Sequence, residues 1–160
     1  MTVYELAKKM EQDGEKYYRE LADKANSSGL KSIFLRLAND EKRHQQILDN
    51  IEKNFDFCDD KAEVNDEETV FSEKLKEIND FHLDKSHIET YEYAAKLEKE
   101  SIEFYTEKRE GLERKCERMT FNRLIKEEKK HLEELEFVIR HLRKPNEWVE
   151  DAEFTHGEEY

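Results

Sequence analysis

Three Glu-x-x-His units occur in the chain: Glu41/His44, Glu128/His131 and Glu153/His156. On a helix, residues three apart share a face, so a carboxylate and an imidazole can reach one common point. That pair is a metal-ligand unit of helical bundle cores. The spacing alone is weak evidence. With 30 Glu and six His in 160 residues, about one match arises by chance. Glu153/His156 follows Pro145 on no evident amphipathic stripe and is taken as the chance match.

The other two units sit in the middle of apolar stripes. One stripe is Phe34, Leu37, Glu41, His44, Leu48, Ile51, and the other is Phe121, Leu124, Glu128, His131, Leu135, Val138. Steps of three and four put each set on one helix face. An ionisable pair at the centre of a core-facing stripe is costly unless something pairs with it. Two further stripes each hold one more carboxylate: Ala7, Glu11, Gly14, Tyr18, Leu21 and Ala94, Glu98, Ser101, Tyr105. Small residues lie about one turn from each Glu on both sides. Gly14 inside a helix costs about 1 kcal/mol relative to Ala. Close helix packing and clearance for a metal site are both reasons for it. The candidate metal ligands are therefore Glu11, Glu41, His44, Glu98, Glu128 and His131. Four carboxylates balance two divalent cations in charge, and carboxylate with imidazole suits Fe or Mn better than a thiolate-rich zinc site.

Four helices must position these groups. The pattern predicts helix 1 over 2–26, with Thr2 and Glu5 forming a capping box. It predicts helix 2 over 30–54, helix 3 over 84–114 and helix 4 over 116–142. The short break at 26–29 favours antiparallel neighbours. Gly111 marks the bend between helices 3 and 4. Residues 55–81 read as a long crossover holding a short helix near 67–79. Two short hairpins joined by one long connection define an all-α, ferritin-like four-helix bundle with one long crossover between helices 2 and 3. The bundle is expected over 1–144, with Pro145 ending it and 145–160 as a C-terminal tail.

The two hairpins are repeats. A shift of 87 residues lays Met10-Glu11 on Leu97-Glu98, Tyr17-Tyr18 on Phe104-Tyr105, and Glu41-Lys42-Arg43-His44 on Glu128-Lys129-Lys130-His131, without a gap. The candidate carboxylates Glu11 and Glu98 each precede a Glu-x-x-His unit by 30 residues. Other residues fit the site less well. His87 and His141 lie about 15 Å or more along their helices from the ligands, and His82 falls on the crossover. Glu127 has no His three residues on, and Glu100 and Glu103 point away from the face of Glu98. Tyr18 and Tyr105 stand about 10 Å along their own helices from the ligand Glu. Core packing is the first role for their rings, and a hydroxyl bond to a ligand carboxylate is the second.

Composition narrows the function classes. Charged residues make up 43% and the net charge is −13, so the chain lacks the basic face that a phosphate backbone requires. No apolar run is long enough to span a membrane, and the N-terminus does not resemble a signal peptide. Cys58 and Cys116 form no C-x-x-C and are expected to be free thiols in a reducing cytoplasm. The 17 aromatic residues and their helical spacing argue for a packed core despite the polarity.

On the segments around Glu11, Glu41/His44, Glu98 and Glu128/His131, the chain resembles the rubrerythrin family of the ferritin-like superfamily over roughly residues 3–142. The resemblance implies a non-haem di-iron centre with two Fe ions per chain. Glu41 and Glu128 would bridge them, Glu11 and His44 would complete one side, and Glu98 and His131 the other. It implies an oxidoreductase that reduces peroxide or O₂, serves in oxidative stress and works as a homodimer. Iron handling by ferroxidase chemistry, and a non-enzymatic helical module with a structural or vacant metal site, are the alternatives. Two departures stand out. The chain has no rubredoxin-type C-x-x-C pairs, so an external donor such as a rubredoxin-type protein is expected. Family members often carry a further Glu three residues after the helix 3 ligand, and here that residue is Ser101.

Overall fold

The computed structural model describes residues 1–53 and 88–158, with side chains through 143. Four helices account for the described chain: α1 (Val3–Lys24), α2 (Ser28–Lys53), α3 (Ile88–Arg109) and α4 (Lys115–Glu158). Thr2 caps α1 as its sequence indicates. Its side chain accepts from the Glu5 amide, and the Glu5 carboxylate accepts from the Thr2 amide. The break between α1 and α2 falls two residues earlier than expected. The Ser27 hydroxyl accepts from the Leu30 amide at 3.2 Å, so Ser28 and Gly29 already belong to the first turn of α2. This satisfies one of the orphan amides at a helix start. Helix α3 ends at Arg109, five residues earlier than expected, and the chain bends through Gly111 without a positive φ. The predicted crossover and its short helix lie outside the described residues.

Two expectations fail. Pro145 does not end the fourth helix, which continues to Glu158. A proline removes one backbone donor and crowds the carbonyl four residues back. That weakens or bends a helix but stops it only if the following residues fail to resume helical geometry, and here they resume it. Cys116 is disulfide-bonded rather than a free thiol. The other cysteine, Cys58, lies outside the described residues. Cysteine count and sequence separation carry no information about the Cα distance that decides bonding.

The core has three levels. One apolar cluster holds residues such as Leu21, Leu30, Phe34 and Leu37 with Tyr91, Leu135 and Leu142. A second holds Tyr4, Ala7, Leu48 and Ile51 with Tyr105, Phe121 and Leu124. The six candidate ligands fall between these clusters along every helix. Helices α1 and α4 run from the second cluster to the first, and α2 and α3 run from the first to the second. Each hairpin is therefore antiparallel, while α2 and α3 are parallel. Two helices that both run from the first cluster to the second cannot be joined by a tight turn, which accounts for the long connection between them. Among the described residues no helix is long and apolar enough to cross a membrane.

Candidate metal centre

All six predicted ligands converge. Each is buried, with at most 4% of its surface exposed. One atom from each of Glu11, Glu41, His44 and Glu128 lies within 4.8 Å of the others, and the same holds for Glu41, Glu98, Glu128 and His131. Glu41 and Glu128 belong to both sets. Two four-residue cages therefore share an edge made of one carboxylate from each hairpin.

Both imidazoles turn Nδ1 toward the cluster. His44 Nδ1 is 2.9 Å from Glu128 Oε1 and 3.3 Å from Glu11 Oε2. His131 Nδ1 is 3.1 Å from Glu41 Oε1 and 3.5 Å from Glu98 Oε1. The rings stack with centroids 5.9 Å apart. Their outer nitrogens are held from behind, His44 Nε2 by Glu127 at 2.6 Å and His131 Nε2 by Asp40 at 3.0 Å. A carboxylate that accepts from one ring nitrogen fixes the tautomer and leaves the other nitrogen as an electron-pair donor. Arg43 spans Asp40 and Glu127, and Arg36 spans Asp40 and the buried Glu134.

The sequence matches the family model of rubrerythrin over residues 3–139. The chain belongs to the rubrerythrin family. A ferritin-like diiron-carboxylate protein from Thermotoga maritima has a similar crystal structure, with a TM-score of 0.64 and 27% sequence identity. The match covers 86% of this chain and 92% of that one. No curated protein matches in sequence.

In this rubrerythrin-family bundle, the donor set fits a pair of cations. Both oxygens of Glu128 and one of Glu98 are buried without a hydrogen bond. Glu128 Oε1 lies near His44 Nδ1 but is not aligned to accept from it. Buried carboxylate oxygens without hydrogen-bond donors are costly, and a cation is the partner that their number and placement suit. Without a cation, protons perform that task. Burial raises the Glu41 and Glu128 carboxyls far above the usual range, and neighbouring carboxylates add to it. Burial also opposes ionisation of Glu11, but His44 and hydrogen bonds with Glu41, His44 and Tyr105 outweigh it and bring Glu11 down to about 2. Burial lowers both imidazoles, yet the carboxylates around them prevail and raise them well above the ordinary value.

Four residues do more at the site than their spacing indicates. The Tyr18 hydroxyl donates to Glu98, and the Tyr105 hydroxyl donates to Glu11 at 2.6 Å. Each tyrosine serves the candidate ligand of the opposite hairpin. Distance measured along its own helix hid that, because α1 and α3 are antiparallel. Glu127 lacks a His at the ligand spacing, and the stripe pattern does not single out Asp40, yet both hold an imidazole. Their common signal was available: both are acidic, both immediately precede a ligand Glu, and they correspond under the 87-residue shift.

Gly14 has a local cause. A Cβ there would stand 3.2 Å from Glu41 Oε2, so the missing side chain makes room for this carboxylate. Gly14→Ala is expected to raise the melting temperature of the metal-free protein, since Ala gains about 1 kcal/mol in a helix, and to weaken iron binding by displacing Glu41. Calorimetric unfolding and metal titration of the same variant check both signs, and unchanged iron affinity would show that the clearance is immaterial. Asp40→Asn and Glu127→Gln should each lower metal affinity by about 10–100-fold while the helices persist. Competition with a chelator of known affinity measures this, and a change below about threefold in both refutes the role given to them.

The proton inventory sets a pH dependence. His44 and His131 have raised folded values, so their contribution is full below the ordinary 6.5 and is lost as pH rises through the folded values. Glu41 and Glu128 are also raised and oppose folding progressively above the ordinary 4.5. Asp40, Glu98 and Glu127 are lowered, and their stabilisation is complete by neutral pH. The metal-free protein should therefore lose melting temperature as pH rises above the ordinary histidine value of about 6.5, and the iron-loaded protein should not. Parallel scans of both forms decide, and a flat or rising metal-free profile contradicts the assignment.

Proposed function

We propose that the protein is a di-iron oxidoreductase that reduces peroxide, or O₂, with electrons from an external donor. The observation that carries the reading is the pair of four-residue sets sharing Glu41 and Glu128. Glu11 and His44 would complete the coordination of one iron, and Glu98 and His131 that of the other. When bound, two ferrous ions supply one electron each, which with two protons takes hydrogen peroxide to two waters. Membership of the rubrerythrin family and likeness to a protein described as diiron-carboxylate support iron over other divalent metals.

The remaining work belongs to the chain. Asp40 and Glu127 hold the imidazoles with Nδ1 inward. Tyr18 and Tyr105 each donate to one oxygen of Glu98 and Glu11, while the second Glu98 oxygen has no hydrogen bond and the second Glu11 oxygen faces His44 Nδ1. Burial keeps both phenols protonated and lifts them well above the ordinary tyrosine value, and the nearby carboxylates act in the same direction. Apolar clusters above and below limit water in the layer, which strengthens each electrostatic contact there.

Protein produced with iron and purified without chelator should contain about two Fe per chain. It should consume peroxide only when a reductant is supplied. Glu128→Ala removes a residue common to both sets and should lose iron and reduce turnover to background. Undiminished turnover in that variant refutes the reading. Iron oxidation without any peroxide turnover replaces it with iron handling.

A further inference from the structure

A cleft of about 350 Å³ lies between α1 and α3 and descends to the metal-ligand layer. Its floor is Tyr18, Glu41 and Glu98, all buried. Its mouth carries the exposed Lys9, Asp13 and Glu100. Two small residues open it. Gly14 offers no side chain, and Ser101, its counterpart in the repeat, turns its hydroxyl back to the Leu97 carbonyl at 3.1 Å.

Size and lining say what the cleft can take. Peroxide and O₂ contain two heavy atoms, whereas this volume equals roughly a dozen waters and falls within the range of small-molecule sites. The walls are Met10, Tyr17, Leu97 and Phe104, all half-buried, so a ring can lie between apolar and aromatic surfaces. The floor is carboxylate. An anionic head is repelled there, and a bulky cation would have to shed its water against apolar walls. A neutral hydroxyl suits both states of the floor. It can donate to a carboxylate oxygen, such as the unpartnered Glu98 Oε2, or direct a lone pair to a cation.

We propose that this cleft is a binding site for an uncharged, phenol-class molecule, held with its ring between α1 and α3 and its hydroxyl toward Glu41 and Glu98. The centre is then open to an organic molecule as well as to peroxide or O₂. This goes beyond the proposed function and is tested without turnover.

Phenol is titrated into the full chain, iron-loaded and chelator-treated, by calorimetry and by NMR line shifts. Benzoate is the control, with the same ring and an anionic head. Saturable binding of one phenol per chain is expected, with benzoate at least tenfold weaker. Ser101→Leu, which fills the cleft from α3, should weaken phenol at least tenfold in the chelator-treated protein while helicity stays unchanged. Leu97→Trp fills the same space from the wall and substitutes if the first variant does not fold. No saturable phenol binding, equal binding of benzoate, or full binding by a folded cleft-filling variant overturns the proposal. Absence of iron refutes the di-iron reading alone, because the chelator-treated protein reports the cleft independently.

Discussion

Four carboxylates and two imidazoles lie in one layer of an apolar core, and most of the structure follows from the cost of keeping them there. An unpaired buried charge is worth several kcal/mol against folding. The chain distributes that cost across all four helices. Glu11 is ionised beside a protonated His44, Glu41 and Glu128 retain protons, and two tyrosine hydroxyls donate into the layer. Two divalent cations would replace those protons with matched charge. The apolar clusters on either side are then more than ballast. They fix the helix registers so that the six side chains meet, and they keep out the water that would otherwise solvate them separately.

Duplication explains how such a layer can be shared. Each hairpin supplies one Glu from its first helix and one Glu-x-x-His from its second. Because the hairpins are related by an approximate two-fold arrangement, the second-helix glutamates of both fall in the middle and join both sets. The same relation crosses the tyrosines, Tyr18 to Glu98 and Tyr105 to Glu11, so each hairpin braces the other's candidate ligand. Symmetry is relaxed where size matters. Gly14 corresponds to Ser101 and Asp40 to Glu127. The hydroxymethyl group of Ser101 can be accommodated, whereas a Cβ at residue 14 would crowd Glu41.

The stripes and the repeat made the four helices and all six converging residues legible, because burial writes itself into periodicity. Four things were not legible for physical reasons. The tyrosine contacts cross between antiparallel helices, and spacing along one helix does not measure them. Asp40 and Glu127 lie beside a ligand on the half-buried flank of the stripe, where an acidic residue looks like ordinary surface until its imidazole partner is placed. Pro145 carries a strong local signal to stop, but a helix can lose one backbone bond and continue when the following residues keep helical geometry. Cys116 belongs to the same class, since bonding depends on a distance that sequence does not encode.

The two flanks of the layer differ in kind, and that difference bears on what reaches it. On the α2–α4 side, Arg36 and Arg43 tie Asp40, Glu127 and Glu134 into a charged network directly behind the imidazoles. A molecule approaching there would have to break several ion pairs before meeting a ligand. On the α1–α3 side, the residues next to the layer are Gly14 and Ser101, and the surface falls inward to Glu41 and Glu98. The imidazoles are thus anchored from one side, and the carboxylates are approached from the other. A centre built this way can anchor its imidazoles while keeping one face accessible, because the groups behind the imidazoles lie on α2 and α4 and the walls of the entry lie on α1 and α3.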